Sequence, residues 1–308
     1  MMQPTFSIII PHKNTPDLLK RCLDSIPQRD DLQVVVVDDN SNPDIVDFDK
    51  YPSLGLKGVE TYFTKKGGGA GYARNVGLEH AKGKWLLFAD ADDFFTEELG
   101  LFLDEIADTQ WDLVYFDYKN VLSDDVTKEV TDRAWYRSYL EDFIEGKTDD
   151  KYLRTKMESP TIKLVKRTLV EKHNIRFEEV KWSNDCLFSA KVGVYAETLT
   201  VIPKKIYVIT QRDGSLTGNY CGTAEEFRVR MGQRYKSAKL FSKLGLGEYC
   251  LNPVDLIVKL YNARGPKVFF RYWLANVFHW ITFKEMSKFL INKGIRKIGK
   301  MTSITAKQ

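Results

Sequence analysis

The chain has 308 residues, 43% of them hydrophobic and 29% charged, with a formal net charge of +4. This suits one large α/β domain with an appendage, or two small domains, and the basic excess is too mild to imply nucleic acid. Cys22, Cys186, Cys221 and Cys250 lie far apart with no CxxC pair, which excludes a zinc pattern and a secreted disulfide framework and suits reduced thiols in a cytoplasm.

The first element is a buried strand over residues 6–10, stopped by Pro11. It is too short for a signal peptide and has no basic residues before it, and no stretch reaches the roughly 18 uncharged apolar residues of a membrane span. Thr15-Pro16-Asp17 predicts a capped helix start, with Leu18, Leu19, Cys22, Leu23 and Ile26 at helical spacing. A second strand covers 34–37, so strand, helix and strand form a parallel unit with a right-handed crossover. A third strand covers 59–64. Gly67-Gly68-Gly69-Ala70-Gly71 follows, then a helix over 72–81 and a fourth strand over 85–89. A helix over 96–107 and a strand over 113–118 come next. Residues 123–150 are charged and weakly patterned, and read as a hairpin or excursion over the site. A helix over 164–173, a short strand over 175–177 and a helix over 185–192 follow. Residues 198–208 hold one or two strands around Pro203, and Arg212-Asp213-Gly214-Ser215 is a turn. From Thr223 onward the chain is helical, basic and aromatic.

Three features stand at the ends of successive strands: Asp38-Asp39, the glycine run, and Asp90-Ala91-Asp92-Asp93. A parallel sheet brings all three to one edge, where ligands of open α/β sheets bind. Clustered carboxylates repel one another unless a cation neutralises them, and oxygen ligands suit Mn²⁺ or Mg²⁺. The alternative for Asp90 and Asp92 is a solvated acidic turn opening a helix. Asp39 can accept from a base or a ribose, with Asp38 the more structural of the pair. The glycine run admits close backbone approach and opens a helix whose N-terminus favours anions. Arg74 can fork onto phosphate or stack on a base. Together these residues suggest a nucleoside diphosphate lying across the strand ends.

The motifs Pro11…Asn14, Val-Val-Asp38-Asp39-Asn-Ser, Gly-x-x-x-Ala73-Arg74-Asn75-x-Gly77-Leu78 and Phe88-x-Asp90-x-Asp92-Asp93 resemble family 2 inverting glycosyltransferases of the GT-A fold. The resemblance covers about residues 5–220 and implies a Rossmann-like, mostly parallel sheet flanked by helices. It implies a catalytic domain over 1–220 and a helical extension over 221–308. It also implies that Pro11, Asn14 and Asp39 hold the nucleotide base, that Arg74 contacts base or phosphate, and that Asp90 and Asp92 form the DxD motif, with Asp92 nearest the metal. His12 and Lys13 stand where the family usually has an aromatic residue. Thr161-x-Lys163-Leu164 is similar to the segment leading to the catalytic acid. Asn184-Asp185 looks like the family's Glu-Asp pair with its first acid replaced, leaving Asp185 as the general base. Arg212-x-x-Ser215 resembles the late loop over the donor diphosphate.

The implied reaction is metal-dependent, inverting transfer from a nucleotide-sugar, by resemblance a UDP-sugar, to a hydroxyl of a glycan or lipid-linked acceptor in surface polysaccharide synthesis. Asp185 takes the hydroxyl proton, while the metal, with Lys163 or Arg212, neutralises the departing diphosphate. A sugar-phosphate nucleotidyltransferase would place its glycine-rich loop after the first strand, where this chain has Pro11-His12-Lys13-Asn14. A non-catalytic nucleotide- or sugar-binding relative is the other alternative, kept open by Asn184. Hydrolase-type carboxylate pairing leaves the glycine-rich phosphate site unexplained. The four histidines show no metal spacing.

Residues 267–283 combine a polar stripe of Lys267, Arg271, His279 and Thr282 with faces rich in Phe, Tyr and Trp. Such a helix suits a membrane interface, which would put a cytoplasmic enzyme at the inner face of the plasma membrane. The favoured alternative is packing on the catalytic domain with a solvated basic end.

Overall fold

The computed structural model describes residues 3–130, 134–212 and 222–249, with isolated positions at 265, 267, 268 and 271. Strands β1 (Phe6–His12) and β2 (Leu32–Asp38) are buried at every position. Both faces of these strands are covered, so their apolar residues run consecutively instead of alternating. They pair in parallel with Ile9 opposite Val35, and the crossover between them is α1 (Pro16–Asp24). Thr15 sits at the N-cap of α1, but its side chain makes no capping bond; its N–H donates instead to Nε2 of His12 at 3.1 Å. β3 (Val59–Phe63) adds in parallel to β2, and β4 (Trp85–Phe88) adds in parallel to β1. α2 (Ala70–His80) packs on β1 and β2. This half matches the elements predicted above.

The second half departs from them. Residues 164–173 do not form one helix. β7 (Lys163–Lys166) comes first, and the short α6 (Arg167–Lys172) follows. β7 lies antiparallel between β4 and β6 (Leu113–Leu122), with Val165 opposite Leu86 on one side and Leu113 on the other. Both edges of β7 are paired, and Leu164 and Val165 are wholly buried. Tertiary pairing overrides local propensity here. Residues 175–177 form no strand; the Asn75 side chain brackets Phe177 instead, donating to its carbonyl at 3.0 Å and accepting from its N–H at 2.8 Å. The 123–150 region opens as a hairpin bridged at Val121 and Glu129, and then forms α4 (Ala134–Ile144). α5 (Asp150–Lys156) comes next.

β5 (Phe94–Phe95) and α3 (Leu99–Ile106) precede β6. α7 (Cys186–Tyr195) leads into β8 (Leu199–Gln211), one strand running through Pro203. Its register against β6 jumps from Ile202 to Lys205, so Pro203 falls in a bulge, where no ladder donor is needed. The eight-stranded sheet has the order β3-β2-β1-β4-β7-β6-β8-β5. α8 (Ala224–Lys243) packs on α7, with Ala238 and Phe241 against Ala190. No helix among the described residues is long and apolar enough to cross a membrane. The basic aromatic stretch 267–283 lies outside the described residues, save three isolated positions.

Candidate active site

The ends of β1 and β2 are knitted together before any ligand is considered. Asp38 accepts from the Ser41 N–H and hydroxyl at 2.8 and 2.6 Å, and lies 2.9 Å from Nδ1 of His12. The Tyr51 hydroxyl closes that group, 2.7 Å from the same Nδ1. Asp38 and His12 are therefore buried structural partners, and these hydrogen bonds hold the Asp38 carboxyl below the usual carboxylate range against the opposing effect of burial. Pro11 is buried, and Asn14, in left-handed conformation at φ 57°, accepts from the Asn42 N–H at 2.7 Å. Asp39 differs from Asp38. Its Oδ2 accepts from the Gly69 N–H at 2.8 Å, while its Oδ1 is buried with no hydrogen-bond partner. An orphaned carboxylate oxygen at a strand end is expensive unless a ligand N–H or O–H reaches it.

One oxygen from each of Asp90, Asp92 and Asp93 lies within 4.8 Å of the others. Asp93 is committed to the fold: it accepts from the Tyr207 hydroxyl at 3.0 Å and the Thr210 N–H at 2.7 Å. Burial and the two neighbouring carboxylates push its pKa well above the ordinary value. Tyr207 also accepts from the Asp90 N–H at 2.8 Å, so one hydroxyl of β8 fixes both ends of the acidic turn. Arg212 donates to Oδ2 of Asp92 at 3.2 Å, and Arg74 to Oδ1 of Asp90 at 2.5 Å. Among the described residues, Oδ2 of Asp90 and Oδ1 of Asp92 keep no hydrogen-bond partner. Two available oxygens in a crowded anionic turn fit a hard divalent cation that also needs phosphate oxygens. Ser215 lies outside the described residues.

Arg74 is the hinge of the site. It is buried, its guanidinium lies over the Phe177 ring at 5.3 Å, and its Nη1 donates to Oδ1 of Asn184 at 2.9 Å. The acidic turn and the segment before α7 thus meet on one side chain. Asp185, at the N-cap of α7, uses no side-chain capping bond. Burial raises its pKa, opposed by Arg74 and Lys163 and reinforced by Asp90.

Lys163 makes its contact inside the fold. It is wholly buried at the start of β7 and donates to the Met157 carbonyl at 2.6 Å. Burial draws its pKa down to about 7, against the pull of Asp185 and Glu158. Glu158 accepts from Arg234 of α8 at 3.0 Å. Glu158, Tyr207 and Arg21, which donates to the Asp92 carbonyl at 2.5 Å, carried no signal in the sequence because their partners are far along the chain.

Residues 7–173 match the model of the family described as glycosyl transferase family 2. The poly(ribitol-phosphate) β-N-acetylglucosaminyltransferase TarS of Staphylococcus aureus is 29% identical over 237 residues, 72% of this chain and 38% of TarS. The poly(ribitol-phosphate) β-glucosyltransferase of Bacillus spizizenii is 28% identical over 68% of this chain and 32% of its own length. The chain thus spans well under two thirds of these relatives. The crystal structure of TarS 1–349 with UDP-GlcNAc superposes with a TM-score of 0.56 at 25% identity, over 75% of this chain and 66% of that one. A mannosyltransferase of Pyrobaculum calidifontis, solved with GDP-Man and Mn²⁺, shares the fold with a TM-score of 0.53 at 18% identity, over 97% of this chain and 88% of its own.

Proposed function

The chain belongs to glycosyl transferase family 2 and has its GT-A fold, and from that premise we propose that it is a metal-dependent inverting glycosyltransferase using a UDP-sugar. The acceptor is a hydroxyl of a glycan or lipid-linked glycan in bacterial surface polysaccharide synthesis. TarS, by its name, acts on a poly(ribitol-phosphate), and its structure holds UDP-GlcNAc. The observation that carries the reading is Arg74, which joins Asp90 of the acidic turn to Asn184 beside Asp185. A donor diphosphate on the acidic turn would then lie next to a base able to deprotonate an acceptor.

In this reading Asp39 receives an N–H of the base through its unpartnered oxygen, while Pro11 and Asn14 shape the loop beside it. Asp185 accepts the acceptor's proton as the hydroxyl oxygen bonds to the anomeric carbon. The bond from that carbon to the diphosphate breaks on the opposite face, inverting the centre. A carboxylate whose pKa is raised by burial is a stronger base, and such a group contributes about 10²–10⁴-fold to rate. Asp90 and Asp92 would hold Mn²⁺ or Mg²⁺, which when bound neutralises charge on the departing diphosphate. Arg212, which donates to Asp92, would turn to the same phosphates in this reading. Lys163, held inside behind Asp185, sets the field around the base.

The test is calorimetric titration with UDP, GDP and dTDP, each with and without Mn²⁺. UDP alone should bind, and only with metal. If no nucleotide binds the folded protein in the presence of Mn²⁺, the reading fails and a non-catalytic relative takes its place.

A further inference from the structure

The turn that delivers Asp185 is held in an unfavourable backbone conformation, and α8 is the element that grips it. Ser183 has φ 54°, in the left-handed region. A residue with a Cβ is disfavoured there sterically, by roughly fivefold to thirtyfold in population. Such conformations persist where the surroundings over-determine them.

Two elements supply the surroundings. From one side, α2 approaches so closely that a Cβ on Gly71 would lie 2.2 Å from the Glu178 carbonyl oxygen and 3.0 Å from Cβ of Asn184. From the other side, Nη1 of Arg230 on α8 lies 3.2 Å from the Ser183 hydroxyl oxygen, to which it donates. Arg230 is itself held, its Nε donating to Oε1 of Glu226 at 2.8 Å. Both partners are buried. Glu226 is fixed in turn at the start of the helix: its N–H donates to the Thr223 hydroxyl at 3.0 Å, and its Oε2 accepts from the Gly222 N–H at 2.9 Å. Glu226, Arg230 and Arg234 follow at i, i+4 spacing and so form one row along α8. The last of them donates to Glu158 at 3.0 Å, and Lys236, two residues on, pairs with Glu178 at the start of the turn. Cations of α8 therefore reach both the segment 178–185 and the Glu158 carboxylate.

We propose that Arg230, braced by Glu226, is a positioning residue that holds the Ser183-Asn184-Asp185 turn in its left-handed form, and that residues 222–249 belong to the catalytic unit. The proposal rests on the reading of Asp185 as the base. It extends the working enzyme beyond the 7–173 span matched by the family model.

The test uses the full chain carrying Glu226→Gln and Arg230→Met together, which keeps the aliphatic stem and leaves no buried unpaired carboxylate. Hydrogen exchange of the 178–189 amides, read by mass spectrometry, should rise about tenfold or more. Release of UDP from UDP-N-acetylglucosamine with Mn²⁺ and water as acceptor should fall at least about tenfold, while UDP affinity stays within about twofold. Adding Ser183→Gly makes the left-handed backbone accessible without the clamp, and should return most of the protection and most of the turnover. A merely structural role for α8 would not be rescued by that glycine. Unchanged exchange in the double variant, or failure of Ser183→Gly to restore protection, overturns the proposal. Asp185→Asn is measured beside it. If that variant keeps its turnover, the base assignment falls, and the exchange data still decide whether Arg230 holds the turn.

Discussion

Asp39 and Asp185 are both incompletely compensated acids, and each shortage has a different consequence. For Asp39 the cost sits on one oxygen: Oδ2 is satisfied by Gly69 and Oδ1 is not. Asp39→Asn must keep its amide oxygen toward the Gly69 N–H, which turns the NH₂ group to the orphaned place. A donor there repels a ligand N–H, so UDP affinity in calorimetry should fall about tenfold or more, with little change in thermal unfolding. For Asp185 the shortage lies in charge compensation, because burial and Asp90 both disfavour the carboxylate. Asp185→Asn keeps the shape and removes the base. Transfer should fall by about 10²–10⁴-fold while UDP still binds as in the parent. Equal transfer by the two proteins would assign the base elsewhere. Asn184, beside it, has its side-chain oxygen engaged by Arg74. A neutral amide there is enough to orient Arg74, and it adds no third carboxylate between Asp90 and Asp185.

The elements that could be recognised from sequence share a property. β1, β2 and β4 each carry their functional residues at the strand's end or in the few positions that follow it, so strand and site lie in one contiguous stretch. β7 does not. Its Leu164 and Val165 are short apolar punctuation in a basic segment, and only the pairing with β4 and β6 makes them a strand. Tyr207 was equally hidden, because its partners Asp90 and Asp93 lie 117 and 114 residues away. α4 repeats Tyr136, Tyr139, Leu140 and Phe143 at helical spacing against the core, and the charged stretches on either side of it masked that stripe. Close packing between elements leaves a sharper trace, and Gly71 is the clearest case. It begins α2, and a methyl group there would meet the Glu178 carbonyl, an atom of backbone that cannot rotate away. Gly71→Ala should therefore push the 178–184 segment off α2. The expected outcome is a loss of about 1–3 kcal/mol in denaturant unfolding, with a larger fall in transfer than in UDP affinity. An alanine variant as stable and active as the parent would mean that the α2 contact does not set the position of Asp185.

Across the whole molecule, the site concentrates acids that resist ionisation. Asp92, Asp93, Glu158 and Asp185 all have raised pKa values, with burial the largest cause for each. An unfolded chain ionises the same carboxyls near about 4. Between that value and their folded values the native state binds more protons than the unfolded state, so stability rises as pH falls. Lys163 acts in the opposite direction in a different window. Its folded pKa of about 7 lies below that of a free lysine, so from about 7 upward the unfolded chain holds the extra proton and stability rises with pH. The metal-free protein should therefore be least stable near neutral pH. On acidification to about pH 5 its melting temperature should climb by on the order of 2–4 °C for each kcal/mol recovered. Further acidification reverses the trend, because Asp31, Asp38, Glu60 and Asp112 have lowered pKa values and lose their partners once protonated. Mn²⁺ should remove much of the neutral minimum. It stabilises the native state by binding it, and it needs the carboxylates ionised, so its benefit shrinks as protons compete for them. Calorimetric scans at pH 7.5 and pH 5.5, with and without Mn²⁺, separate the two effects. A melting temperature that falls steadily from pH 7.5 to 5.5 without metal would show that the acidic cluster is not under the strain ascribed to it. An Mn²⁺ benefit equal at both pH values would show that the ion binds somewhere other than Asp90 and Asp92.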